Sequence, residues 1–248
     1  MQQNKVLFIA TSNNKIPGSV YKTGLWLETL AVPYYLFKET GIEVTIASPD
    51  GRSIPIDPKS QSIIVATRTT KRFLLDNDAK EFLSSSLPLE EVSADQFDAV
   101  FITGGHGALW DMADNSVLNQ VMQDFLFQSK PIAVLAQGVV CLLTLLNDSG
   151  GLWIEGKKIT SCSNGEEKAT GLAAIVPFLL ESKLISLGTV YSKGSDYSSH
   201  VVTDGNVITG QNPASAETAA NKMLSLLRNN RPVSLADRQL MPTRSSSL

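Results

Sequence analysis

The chain has 248 residues, 43% of them hydrophobic, and sets 21 Lys+Arg against 24 Asp+Glu for a formal net charge of −3. This length suits a single α/β unit, the apolar fraction excludes a disordered chain, and the mild acidity argues against a nucleic-acid binder. No apolar run reaches the ~20 residues of a membrane span. The Met1–Lys5 stretch lacks the marks of a signal peptide, and Cys141 and Cys162 lack CxxC spacing, so a cytoplasmic protein with no bound metal or disulfide framework is expected.

Apolar runs alternate with helical patterns, which predicts a mostly parallel sheet covered by helices on both faces. A buried strand over 5–10 ends in the polar loop Thr11-Ser12-Asn13-Asn14. An amphipathic helix follows over 25–40 and closes at Gly41, and a strand over 43–48 stops at Ser48-Pro49-Asp50-Gly51. Residues 52–95 read as an insertion with a β-like SIIVAT piece (62–67) and a polar helix around 78–86. A strand over 99–103 opens into Gly104-Gly105-His106-Gly107, a helix spans 116–129, and 131–135 is a further buried strand. The VVCLLTLL segment (139–146) is apolar on all sides, as a helix in the centre of a domain would be. Strands are expected at 158–161, 188–191, 201–204 and 207–209, the last two joined by a hairpin turn at Asp204-Gly205-Asn206. A final helix runs from after Asn212-Pro213 to about Leu227. With no repeat and no linker, 1–228 reads as one domain and 229–248 as a polar tail.

Two turns carry the first chemical signal. The strand 131–135 runs into Ala136-Gln137-Gly138 and directly into a helix, a sharp bend that exposes its central residue beside amides suited to an anion or a developing oxyanion. Gly104, Gly105 and Gly107 surround His106 in the second turn, where the backbone is free to approach a ligand closely. Gly138 need only permit a bend, and a Gly-rich turn need only reverse the chain. Two such turns after parallel strands, however, share one sheet edge, where ligands of open α/β sheets sit. The third element is Glu28, inside Leu25-Trp26-Leu27-Glu28-Thr29-Leu30-Ala31. An exposed helix glutamate is ordinary; a carboxylate on an apolar face has its charged form disfavoured, which suits proton transfer. His106 is an edge-loop candidate for acid/base work, whereas His200 is expected to pack or hydrogen-bond. Cys141 is turned about 140° from Ala136 at ~3.6 residues per turn and is expected to be inert, and Cys162 to be structural.

The segments TGLWLETLAVPYYLFKETG, FITGGHGALWDM, KPIAVLAQGVVCLL, KKITSCSNGEE, VPFLLESKLISLG and VVTDGNVITGQNPAS occur in that order over roughly residues 5–225. Together they resemble the DJ-1/PfpI (ThiJ) superfamily, and within it the Hsp31-like branch of glyoxalase III and deglycase-like proteins. The resemblance implies a flavodoxin-like α/β sandwich, a homodimer, and a small carbonyl-containing substrate handled without a cofactor. It matches Glu28 to the acidic residue of the family's first helix, and Gly104, Gly105 and His106 to the oxyanion-side turn. Trp26 and Gly107 are substrate-binding candidates beside them. Ala136 falls at the nucleophile elbow, and Gly210–Ser215 matches the stretch leading into the last helix. The triad carboxylate, counted with the substrate-binding candidates, falls at Glu167, with Glu166 as the alternative.

The chain departs from the branch at the elbow, which reads Ala136-Gln137-Gly138 where Hsp31-like members read Cys-His-Gly. A methyl group cannot attack a carbonyl, and a glutamine amide is no base near neutral pH. Glu167 is left with no histidine at the elbow to orient. Either the alanine is natural or a Cys→Ala change has disabled a natural cysteine to trap a bound compound; the second account does not explain Gln137. Cysteine-dependent conversion of methylglyoxal to lactate is therefore not expected. Glu28 as acid/base, the Gly105–His106 backbone as oxyanion donor and the Gln137 amide suit a lyase, hydratase or isomerase: hydration, dehydration, isomerisation or cyclisation of a carbonyl compound. The alternative is a non-catalytic protein that binds a metabolite or acts as a chaperone-like scaffold.

Overall fold

Strands that are apolar along their whole length belong in a sheet buried on both faces. The computed structural model, which describes residues 3–229, has such a sheet. The first part of the chain forms β1 (Lys5–Ile9), α1 (Glu28–Glu39), β2 (Glu43–Ser48), α2 (Arg68–Leu75), α3 (Asn77–Ser84), β3 (Leu87–Pro88) and β4 (Ala99–Ile102). Then come α4 (Ala108–Asp111), α5 (Ser116–Phe127), β5 (Ile132–Leu135), β6 (Lys158–Ile159), α6 (Asn164–Ala169) and α7 (Leu180–Ser186). The last elements are β7 (Val190–Tyr191), β8 (Val201–Asp204), β9 (Val207–Gly210) and α8 (Ala216–Asn229).

Seven strands pair in the order β3-β2-β1-β4-β5-β9-β8. All are parallel except β8, which folds back on β9 through the expected hairpin, Asp204 opposite Val207. This is the mostly parallel sheet that the alternating pattern predicts, in the flavodoxin-like form that the resemblance implies. Successive residues point to opposite faces. Val6 and Phe8 therefore pack with Leu30 and Tyr34 of α1 and Met223 of α8, whereas Leu7 and Ile9 pack with Val121 and Phe125 of α5. No helix among the described residues is long and apolar enough to cross a membrane. Past Asn229, the expected polar tail lies outside the described residues.

The structure differs from the sequence reading in several places, among them β3, α6 and α7, which were not expected. The SIIVAT piece is no strand: Ile63 and Ile64 are 86% and 90% exposed, and the chain pairs with no sheet edge there. Thr67 instead caps α2, a helix not foreseen, in a reciprocal capping box with Thr70. The first helix begins at Glu28 rather than residue 25, because Leu25 is held in an extended bridge with Ile56. The apolar segment after β5 is buried from Val139 to Leu143 and at Leu145, but Leu146 is half exposed, and the chain winds as 3-10 turns over Ala136–Leu142. The strands expected at 158–161 and 188–191 shrink to β6 and β7, which form a separate two-stranded sheet.

Candidate active site

At the carboxyl end of β5 the chain reverses direction within one residue. Ala136 has φ +50°, in the left-handed region, which costs a residue with a Cβ roughly 1–2 kcal/mol. The bend at Ala136 is thus as sharp as expected, and Gly138 serves it by close approach: a Cβ there would stand 2.4 Å from the Thr103 carbonyl oxygen. Gly104 faces the same turn, since a Cβ on it would lie 2.9 Å from that of Ala136.

The start of α1 is locked onto this pair of turns. The Trp26 amide donates to the Gly104 carbonyl at 2.9 Å, and the Thr29 hydroxyl accepts from the Gly104 amide at 3.0 Å. Gly105, at φ +133°, presses against Gly24, whose carbonyl oxygen would lie 2.3 Å from an added Cβ. These contacts bring the first turn of α1, with Glu28 in it, to the elbow. Glu28 is half-buried and its carboxylate accepts no hydrogen bond among the described residues, so burial pushes its pKa up. Trp26 joins the site through its backbone. The amide of Gly104, a substrate-binding candidate in that turn, is taken by Thr29. The Gly105 and His106 amides have no acceptor among the described residues. Gly107 lies against Thr11 and Asn13, on the side of the turn facing the β1 loop.

Opposite α1, the structure assembles a pair that was not foreseen. His106 Nε2 lies 2.8 Å from Glu167 Oε1, and Gln137 Nε2 donates to Glu167 Oε2 at 3.3 Å. The carboxylate thus does have an imidazole to orient, supplied by the β4 turn rather than by the elbow. Thr170 donates to the same oxygen as His106 at 3.2 Å. Burial opposes the charge on Glu167, but the His106 imidazole, the Gln137 amide and the Thr170 hydroxyl together hold its pKa below the ordinary range. Glu166, the alternative, is committed elsewhere. It closes the capping box of α6 with Ser163 and accepts from the Tyr197 amide and Asn212, each at 2.8 Å. The Ser163-x-x-Glu166 spacing was a legible sign of that role.

Cys162, read as structural, lies beside Glu167, with Sγ 3.8 Å from Oε2. Burial first, then the Glu167 and Glu166 charges, push its thiol well above the usual range, so it is no ready nucleophile. Cys141 is wholly buried in the core, and burial pushes its thiol up as well. His200 hydrogen-bonds, as expected, with Ser192 at 3.0 Å. Thr29, Thr170 and Cys162 are the neighbours that sequence reasoning missed. Ala136, His106, Gln137, Glu167 and Cys162 are each no more than 7% exposed.

A model of the DJ-1/PfpI family matches residues 27–226. The chain is 26% identical to the glutathione-independent glyoxalase hsp3101 of Schizosaccharomyces pombe, over 90% of this chain and 96% of that protein. It is 27% identical to the human glutamine amidotransferase-like class 1 domain-containing protein 1, over 77% of this chain and 84% of that one. Among solved structures, the Rapid Encystment Protein 24 kDa of Francisella tularensis superposes with a TM-score of 0.86 at 35% identity, covering 91% of this chain and 99% of the other.

Proposed function

The chain belongs to the DJ-1/PfpI family, on its Hsp31-like branch, and from that footing we propose that it acts on a small carbonyl compound by proton transfer through Glu28, with no covalent intermediate at the elbow. The observation that carries this reading is Glu28 itself. Its carboxylate has no donor among the described residues, its pKa is raised, and α1 is locked onto the Gly104 turn, which faces an elbow whose residue 136 has no nucleophilic atom. A carboxyl group tuned upward is suited to give and take a proton near neutral pH.

In this reaction the substrate carbonyl oxygen accepts from the Gly105 and His106 amides, which stabilise the negative charge that grows on it. Glu28 moves the proton at the neighbouring carbon or at an attacking water. Glu167 holds His106 and Gln137 in place beside the elbow. The similarity to a glutathione-independent glyoxalase supports a carbonyl substrate; hydration, dehydration, isomerisation and cyclisation all fit this proton inventory.

Methylglyoxal in D2O, followed by proton NMR for conversion and for exchange of its carbon-bound protons, tests the reading. The expected result is turnover or exchange that falls by ~10²-fold or more in Glu28→Gln, with circular dichroism unchanged. Full rate in that variant overturns the mechanism and moves the role to His106. The lack of a nucleophilic atom at residue 136 favours one second reading, a protein that binds a metabolite without turning it over; saturable binding with no turnover in either protein identifies it.

A further inference from the structure

In the sheet, β1 has β2 on one side and β4 on the other, so the chain leaves β1 in one direction and returns on its opposite flank. An open parallel sheet forms a crevice beyond its carboxyl edge at such a reversal. A cleft of about 510 Å³ lies there, lined by Ser12 and Asn13 from the β1 loop, Asp50 and Arg52 from the β2 loop, and Trp110 of α4. A second cleft of about 520 Å³ shares Asn14 and Pro55 with the first and carries Lys15 and Lys22. None of Glu28, Ala136, His106, Gln137 or Glu167 lines either one. The Gly104–Gly107 turn stands between these clefts and the candidate active site, with Gly107 against Thr11 and Asn13.

In a chain of net charge −3, the two clefts gather three cations, Arg52, Lys15 and Lys22, against two carboxylates, Asp50 and Asp111. Arg52, Lys15 and Lys22 take part in no ion pair among the described residues. Lys15 and Lys22 sit directly opposite each other across an antiparallel bridge, an arrangement that repels unless an anion lies near. Asp111 lines the first cleft, but its carboxylate oxygens are turned to donors of the β1 loop. Its Oδ1 accepts from Thr11 at 2.8 Å, and its Oδ2 from the Ser12 and Asn13 amides at 2.7 and 3.1 Å. Asp50 is the one other carboxylate lining the pair.

We propose that the paired cleft binds a small molecule bearing two oxyanion groups, one held by Arg52 and the other by Lys15 and Lys22. The guanidinium of Arg52 is shaped to grip two oxygens of one group, whereas the lysines act as point charges and tolerate any oxyanion. Trp110 supplies a flat apolar wall in the first cleft, beside Arg52. Phosphate and carboxylate groups share this chemistry, and the choice of probe separates them.

The full chain, at low ionic strength, is titrated with inorganic pyrophosphate and separately with succinate, each against sodium chloride at matched ionic strength. Tryptophan emission and Tm are read together. The expected result is a saturable emission change and a rise in Tm with at least one probe. The emission change disappears in Trp110→Phe while the Tm rise remains. Affinity falls about tenfold in Arg52→Gln and in the double variant Lys15→Gln/Lys22→Gln. A stronger response to pyrophosphate assigns the cleft to phosphate-bearing ligands, and a stronger response to succinate assigns it to dicarboxylates. Three outcomes overturn the proposal: no saturable response above the salt control, an emission change that survives Trp110→Phe, or an affinity unchanged in both charge variants.

Discussion

Glu28 and Glu167 are carboxylates of one site in opposite surroundings. Glu28 is shielded with no donor, so its raised pKa makes the native state hold a proton that the unfolded chain releases. Stability therefore falls as pH rises from the unfolded value through the folded one. Glu28→Gln is expected to melt above the parent at pH 7, and the gap to close as pH drops below the folded pKa. Glu167 is held down by His106, Gln137 and Thr170 against its burial. Its contribution is fully present above its unfolded pKa and is lost as pH falls through the folded one. Glu167→Gln is expected to melt below the parent at pH 7 and to converge with it in acid; differential scanning calorimetry across pH 3–8 reads both. At the elbow, Ala136→Cys alone is expected to leave methylglyoxal-to-lactate conversion closed. The neighbouring Gln137 amide is already engaged with Glu167 and cannot accept a thiol proton. If the single change opens that route, Gln137 is no barrier, and a disabled natural cysteine becomes the better account of the alanine.

At the scale of elements, the site depends on how α1 meets β4 and β5. The Thr29 hydroxyl is the joint: it accepts from the Gly104 amide at 3.0 Å and donates to the Trp26 carbonyl at 2.7 Å. Thr29→Val keeps the shape and removes both bonds. It leaves the Gly104 amide shut away with no acceptor, a loss of about 1–3 kcal/mol. Urea unfolding reads that loss directly. Because Glu28 rides on the same turn, a fall in turnover is expected to accompany it. Loss of stability without loss of turnover would show that α1 does not set the position of Glu28. The insertion between β2 and β4 follows the same logic of available partners. Apolar Ile63 and Ile64 found no sheet edge, whereas Thr67, a residue suited to capping, started a helix.

At the scale of the molecule, one sheet joins two cores. Phe8 anchors one of them, its ring centroid 5.5 Å from that of Phe101 and 5.7 Å from that of Phe37. Phe8→Ala is expected to cost about 3–5 kcal/mol, read as a lower midpoint of a single cooperative transition. A separate second transition would show that the two faces fold independently. The parallel sheet, the positions of its strands other than β3, and both edge turns were legible in the residues, because apolar runs, turn glycines and capping residues act over about one element's length. Glu28, Ala136 and the Gly104–His106 turn were legible as members of one edge for the same reason. The pairing of His106 with Glu167, 61 positions apart, was not. Nor were the choice of Glu167 over Glu166, the place of Cys162 beside it, or the meeting of Arg52 with Lys15 and Lys22 around two clefts. Each depends on where separate loops come to rest once the sheet has closed. A side chain's partners there are set by long-range packing, to which the local pattern of apolar and polar residues is blind.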